Sequence, residues 1–136
     1  MDMVISFPGG KRVDAALGDM VIKTDQLPRS GGEGSAPEPF MLFLASIGTC
    51  AGIYVLSFCQ QRGLPTENIR IRQSTIFDHR AHLISQINLD IDLPADFPKK
   101  YTAALIKSAQ LCAVKKHLDN PPTFKIETHI GLDSRT

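Results

Sequence analysis

The apolar positions of this chain change period several times, and each change marks an element. Met3, Ile5 and Phe7 alternate with other residues before Pro8-Gly9-Gly10, the pattern of a strand running into a turn. Lys11–Leu17 and Met20–Thr24 predict two more short strands around Gly18-Asp19. Asp25 to Glu38 is a loop rich in Gly, Pro and Ser. From Phe40 to Cys59 the pattern becomes an almost unbroken apolar run. It predicts a helix with Pro39 as its first residue, ending near Arg62, where Gly63 and Pro65 stop it. Asn68–Phe77 and His82–Leu93 read as a hairpin. In its second strand Ile87, Leu89, Ile91 and Leu93 alternate with Asn88, Asp90 and Asp92, so one face is buried and the other wet. Pro98 opens a second helix with apolar positions at Tyr101, Ala104, Leu105 and Ala109. A short third helix starts near Cys112. Phe124, Ile126, Thr128, Ile130 and Leu132 predict a last strand.

Strand runs broken by two helical blocks give an α+β fold, with antiparallel sheets packed on a long central helix. At 136 residues the chain holds one domain, 1–136, without internal repeats. The run Phe40–Cys59 is 20 residues without a charge, long enough to cross a bilayer at ~1.5 Å per residue. Its Ala45, Ser46, Gly48, Thr49, Ala51, Gly52 and Ser57, and the strands that need it as a core, favour a buried helix and no membrane. A helix apolar on all sides must be covered on all sides, which calls for a second subunit. Dimerisation also covers exposed strand edges.

Charge and cysteine usage narrow the function. A formal net charge of +1 gives no case for nucleic acid or an anionic surface. Met1–Arg12 lacks the basic and apolar segments of a signal peptide. Three cysteines cannot all pair within one chain, so free thiols in a reducing compartment, the cytoplasm, are expected. Cys50 and Cys59, nine residues apart, face opposite sides of a helix and cannot bridge each other. Cys59 reads as a small core residue. Cys50 lies near Gly48 and Gly52, where backbones approach closely. Cys112 falls at a helix start, where free amides favour thiolate. Burial of all three as inert thiols is the bland alternative.

Other features carry less. Gly31-Gly32-Glu33-Gly34 lacks the Lys-Ser/Thr of a phosphate loop. Cys112 and His117 miss the spacing of helical metal pairs, so no metal is expected, and no motif calls for a cofactor. Arg70 and Arg72 read as a solvated strand face.

Ser35-Ala-Pro-Glu-Pro-Phe-Met-Leu-Phe-Leu-Ala-Ser-Ile-Gly-Thr-Cys50, followed by Arg62-Gly63, resembles the central-helix signature of the OsmC/Ohr family of osmotically inducible and organic hydroperoxide resistance proteins. Ala109-Gln110-Leu111-Cys112-Ala113-Val114 resembles that family's second cysteine motif, and the element order matches along the whole chain. The resemblance implies an intertwined α+β homodimer with both cysteines at the subunit interface. It implies thiol-dependent reduction of organic hydroperoxides, with Cys50 as attacking thiol, Cys112 as resolving thiol and an external dithiol as reductant. Family members also place a Glu after the proline matching Pro39, where this chain has Phe40 and Met41. They set an Arg from the amino-terminal strands against the thiolate. Arg12 is the nearest match, offset by one residue, and Arg29 is the other candidate. The alternative within the same fold is a non-catalytic protein that binds a small apolar ligand or senses oxidants through its thiols.

Overall fold

The structure is a computed structural model and describes residues 1–131. Three strands, β1 (Val4–Gly9), β2 (Arg12–Leu17) and β3 (Met20–Thr24), form an antiparallel meander in the order β1-β2-β3. The turn between β1 and β2 uses Gly9 and Gly10, both at positive φ, a conformation that glycine adopts without steric cost. A loop then leads to α1 (Pro39–Gln60). The hairpin β4 (Arg70–Asp78) and β5 (Leu83–Asp92) follows as a separate two-stranded sheet. Two short helices complete the fold, α2 (Thr102–Ala109) and α3 (Ala113–Asp119).

Helix α1 begins as expected, with Pro39 at its first position and Glu38 as the preceding extended residue. It ends at Gln60, and Gly63 at φ 61 turns the chain back. The amide of Leu64 donates to the Cys59 carbonyl at 2.9 Å, and the amide of Gly63 to the Gln60 carbonyl at 3.2 Å. These bonds satisfy carbonyls that the end of a helix leaves open. Arg62 adds a clamp. Its guanidinium lies 3.7 Å from the Phe58 ring centroid and donates to the Phe58 carbonyl.

One side of α1 carries the core. Val55, Phe58 and Cys59 pack with Leu105 of α2 and with Phe97, and Ile71, Ile91, Leu93 and Tyr101 close around them. The sheet meets the helix where the helix has no side chains. Gly52 faces Ile71, and Gly48 faces Gln73. Gln73 donates from Nε2 to the Leu44 carbonyl at 2.9 Å, and a Cβ on Gly48 would sit 2.7 Å from its Oε1. The glycines therefore fix how closely β4 approaches.

The other side of α1 is bare within one protomer. Phe40, Met41 and Ile53 are each more than half exposed, so a helix expected to be covered all round is covered on one side only. The meander is in the same condition. Apart from Thr24, its residues are exposed or half-buried. The predicted last strand also differs. Residues 121–131 form no strand, Phe124 is 87 % and Ile126 90 % exposed, and Leu132 lies outside the described residues. A strand exists only through a hydrogen-bonded neighbour, and no described strand of the same chain pairs with this segment.

The loop before α1 is organised by a buried carboxylate. Asp25, 1 % exposed, accepts from the Ser35 hydroxyl at 2.7 Å and from the amides of Ser35, Gln26 and Glu33. The glycine cluster thus closes on the chain's own anion rather than on a phosphate. A methyl group on Gly32 would fall inside the Gln26 carbonyl, so the loop cannot close without this glycine.

The Ser35 hydroxyl, then the Ser35 amide, hold Asp25 down at about 2 from 3.8. A depressed carboxylate stabilises the fold above its unfolded pKa and loses that contribution as pH falls toward the folded one. Asp25→Asn is therefore expected to lower the melting temperature at neutral pH and to flatten its fall between about pH 4 and pH 2. Thermal denaturation across that range measures both. A wild-type curve as flat as the variant's would contradict the assignment.

Candidate active site

Two of the three cysteines come together. Cys50 lies in the middle of α1, on the side turned toward α3, and is half-buried. Cys112 is the N-cap of α3 and 2 % exposed. Its sulfur accepts from the Lys115 amide at 3.4 Å and lies 4.0 Å from the Ile47 carbonyl of α1. The junction of α2 and α3 is thus pinned to the turn of α1 that carries Cys50. Ser108 of α2 adds a second pin, donating to the Tyr54 carbonyl at 3.3 Å.

This junction splits the two thiols electrostatically. The Val114 amide, then the Cys112 thiol and the Ala113 amide, hold the Cys50 thiol below its ordinary pKa and outweigh its partial burial. Hydrogen bonds to the charged form favour that form. Cys112 goes the other way. Burial raises its pKa first, and the neighbouring Cys50 raises it further. Of the two, Cys50 is the thiol that ionises first and Cys112 the one that holds its proton longer. Cys59, fully buried in the core, is raised by burial and only partly offset by Arg62.

The candidate cations are elsewhere in the protomer. Arg12 is exposed and donates from Nε to the Gly9 carbonyl at 3.2 Å. Arg29 is exposed in the 3-10 turn Pro28–Ser30. Neither is among the groups that shift Cys50. Within the chain, the groups that lower Cys50 are backbone amides beyond Cys112 and the Cys112 thiol. Their signal in the sequence was the cysteine at a helix start. What it did not show is that the amides of Ala113 and Val114 favour the thiolate of Cys50.

A cavity of about 680 Å³ opens beside the pair. Its wall is mainly apolar, with Ile47, Leu89, Leu105 and Ile106 among its members, and Cys112 borders it while Cys50 does not. Arg72 and Asp92 stand at its polar edge, joined by bonds of 2.7 and 3.0 Å. No cluster of metal-ligating side chains occurs among the described residues.

The thiols should be separable by pH. Cys50 is expected to alkylate first, with a midpoint below that of a free thiol, while Cys112 and Cys59 stay slow at neutral pH. Cys112→Ala removes a donor and should move the Cys50 midpoint upward. Iodoacetamide rates against pH, with peptide mapping, measure both. A Cys50 midpoint at or above that of free cysteine would overturn this electrostatic picture.

The chain resembles a Psychrobacter arcticus protein described as an osmotic stress induced and detoxification response protein, with a TM-score of 0.69 and 17 % identity over 84 % of this chain and 85 % of that one. The organic hydroperoxide resistance protein OhrB of Bacillus subtilis matches with a TM-score of 0.53 and 17 % identity, over 89 % and 93 % of the two chains. An OsmC-like hydroperoxide resistance protein from Jannaschia matches at 0.52 and 20 % identity, over 95 % and 91 %. At these identities the likeness shows the fold alone. No curated protein matches the sequence significantly. The family model described as OsmC-like protein matches residues 32–127, a span that includes the whole of α1 and both cysteines of the pair, and the chain therefore belongs to the OsmC-like family.

Proposed function

We propose that this protein reduces organic hydroperoxides through Cys50 and Cys112. The observation that carries the reading is the split thiol pair: a thiol favoured as thiolate and half accessible, against a buried thiol kept protonated. The names of the hydroperoxide resistance proteins that share the fold support the choice of substrate. In this reading the Cys50 thiolate attacks the terminal peroxide oxygen, the O–O bond breaks and an alcohol leaves. Cys50 is then a sulfenic acid. Cys112 condenses with it to a disulfide and releases water, before further oxidation can occur. An external dithiol restores both thiols by exchange, as the cytoplasm would supply. The apolar wall beside Cys112 favours bulky organic peroxides over hydrogen peroxide.

Cumene hydroperoxide should be turned over many times with a lipoyl dithiol present, and Cys50→Ser should abolish turnover. Peroxide without reductant should consume two thiols and yield a peptide linking Cys50 to Cys112. A linkage through Cys59, or loss of a single equivalent of peroxide, would refute the assignment. A second reading has its own observation, the apolar cavity of about 680 Å³. A non-catalytic protein would hold a small apolar ligand there and consume no peroxide; a sensor would consume one or two equivalents.

The active form in this proposal is a homodimer. The chain exposes 11085 Å², whereas a compact monomer of 14.9 kDa exposes about 7,000 Å². Part of the excess of roughly 4,000 Å² is the extended segment after α3. The rest is the bare side of α1 and the uncovered meander, which a second copy would cover. An interface of this kind buries more than ~2,000 Å² in total. Arg12 or Arg29 would reach Cys50 from that second copy, and Arg12→Ala or Arg29→Ala would then raise its pKa. Sedimentation should show a dimer at micromolar concentration. A stable folded monomer would contradict it.

A further inference from the structure

We propose that Cys112 is also the acid of the first half-reaction, giving its thiol proton to the departing alkoxide before it acts as the resolving thiol. The proposal rests on the peroxidase reading above. Breaking the O–O bond of an alkyl hydroperoxide expels an alkoxide, a strong base, and some group must protonate it as it leaves. Among the described residues, the groups that act on Cys50 are two backbone amides and one side chain, the thiol of Cys112. No Lys, Arg, His or carboxyl group of the same chain belongs to that set.

Cys112 is placed for this role by three observations. Its sulfur lies against the turn of α1 that carries Cys50, 4.0 Å from the Ile47 carbonyl, and its thiol is the one side chain among the described residues that favours the Cys50 thiolate. Among the described residues its one acceptor is the Ile47 carbonyl at 4.0 Å, a weak competitor inside α1, so the proton is available. Cys112, and not Cys50, borders the apolar cavity. A hydroperoxide whose organic group occupies that cavity therefore has its leaving oxygen on the Cys112 side.

The step balances without any further reagent. The Cys50 thiolate forms an S–O bond to the terminal oxygen as the O–O bond breaks, and the electron pair goes to the inner oxygen. That oxygen takes the Cys112 proton, so alcohol leaves and Cys112 becomes a thiolate. Cys50 is oxidised to the sulfenic acid and the peroxide is reduced. The new Cys112 thiolate then attacks the Cys50 sulfur and expels hydroxide, which takes up a proton from the buffered solvent and leaves as water. The same proton transfer that completes the first step thus prepares the nucleophile for the second. A thiol buried and kept protonated, a poor resolving nucleophile in the resting protein, becomes one only after peroxide has reacted.

The test is leaving-group dependence in single turnovers, following Cys50 oxidation by stopped flow. Tert-butyl hydroperoxide leaves as a basic alkoxide and needs an acid. Peracetic acid leaves as acetate and does not. Rates are compared at equal Cys50 thiolate fraction, determined separately by alkylation. Cys112→Ala is expected to slow tert-butyl hydroperoxide by ~100-fold, the usual size of general acid catalysis, and peracetic acid by no more than about 3-fold. Cys112→Ser keeps a hydrogen-bond donor and an acceptor for the Lys115 amide. It should fold as the wild type does and fall between the two, which covers an Ala variant whose α3 unravels. Equal slowing of both oxidants would mean that Cys112 only places α3, and no slowing of either would mean another acid; each overturns the proposal. If wild type itself reacts with neither oxidant faster than free cysteine, the peroxidase reading fails instead.

Discussion

The constraint on which the rest of the structure depends is an apolar helix that one chain can cover on one side only. Helix α1 presents Ile47, Ala51, Val55, Phe58 and Cys59 to the interior of its own protomer, and that side alone nucleates the core with Leu105 and Phe97. A helix of 22 residues gains most of its stability from packing rather than from intrinsic propensity. A rod half wrapped in protein and half bare is therefore an unfinished structure. The β1–β3 meander has the complementary defect, with Val4, Phe7, Met20 and Val21 open to solvent and no helix of its own laid across it. In the proposed homodimer the two incomplete halves would cover each other across a twofold axis.

The same helix sets the chemistry. Cys50 stands at the margin between the covered and uncovered sides of α1, where an otherwise buried thiol retains access. Full burial would have raised its pKa, as it does for Cys59. Full exposure would have removed the amides of Ala113 and Val114 that lower it. Cys112 shows the opposite balance on the other side of the same junction, since its burial outweighs the Lys115 amide. The two thiols, identical in residue type, shift in opposite directions because they differ in burial and in the amides beside them. Gly48 and Gly52 take part by letting β4 lie close to the helix, which leaves the Cys50 side free for α3.

Much of this was legible in the sequence, and the parts that were not share a cause. Pro39, Gly63 and the apolar run between them carry local signals, so the bounds of α1 could be read within a few residues. The alternation Ile87 to Leu93 likewise marked a half-buried strand before any partner was known. The last strand could not be settled in that way. Phe124, Ile126 and Ile130 alternate convincingly, yet alternation fixes only which side a strand would bury, and pairing requires an edge supplied by something else. Arg12 and Arg29 lie away from the Cys50 of their own chain for a related reason. A sequence motif states which residue types a site needs, whereas the path of the backbone decides which chain delivers them.

The source of thiolate stabilisation then has consequences for how the site behaves. A guanidinium is a mobile full charge on a long side chain, weakened by salt wherever solvent reaches it. Amides of Ala113 and Val114 are partial charges fixed by the fold, and they cannot leave the sulfur unless α3 moves. Helix α3 has no buried residue of its own, and its hold on α1 runs through Cys112, whose sulfur caps the helix and touches the Ile47 carbonyl. Activation of Cys50 is therefore tied to the chemical state of Cys112. While Cys112 is a thiol, it both holds α3 in register and donates toward Cys50. In the proposed cycle a Cys112 sulfur committed to a disulfide could no longer donate, and reduction of that bond would regenerate the cap and the activated thiol in one event.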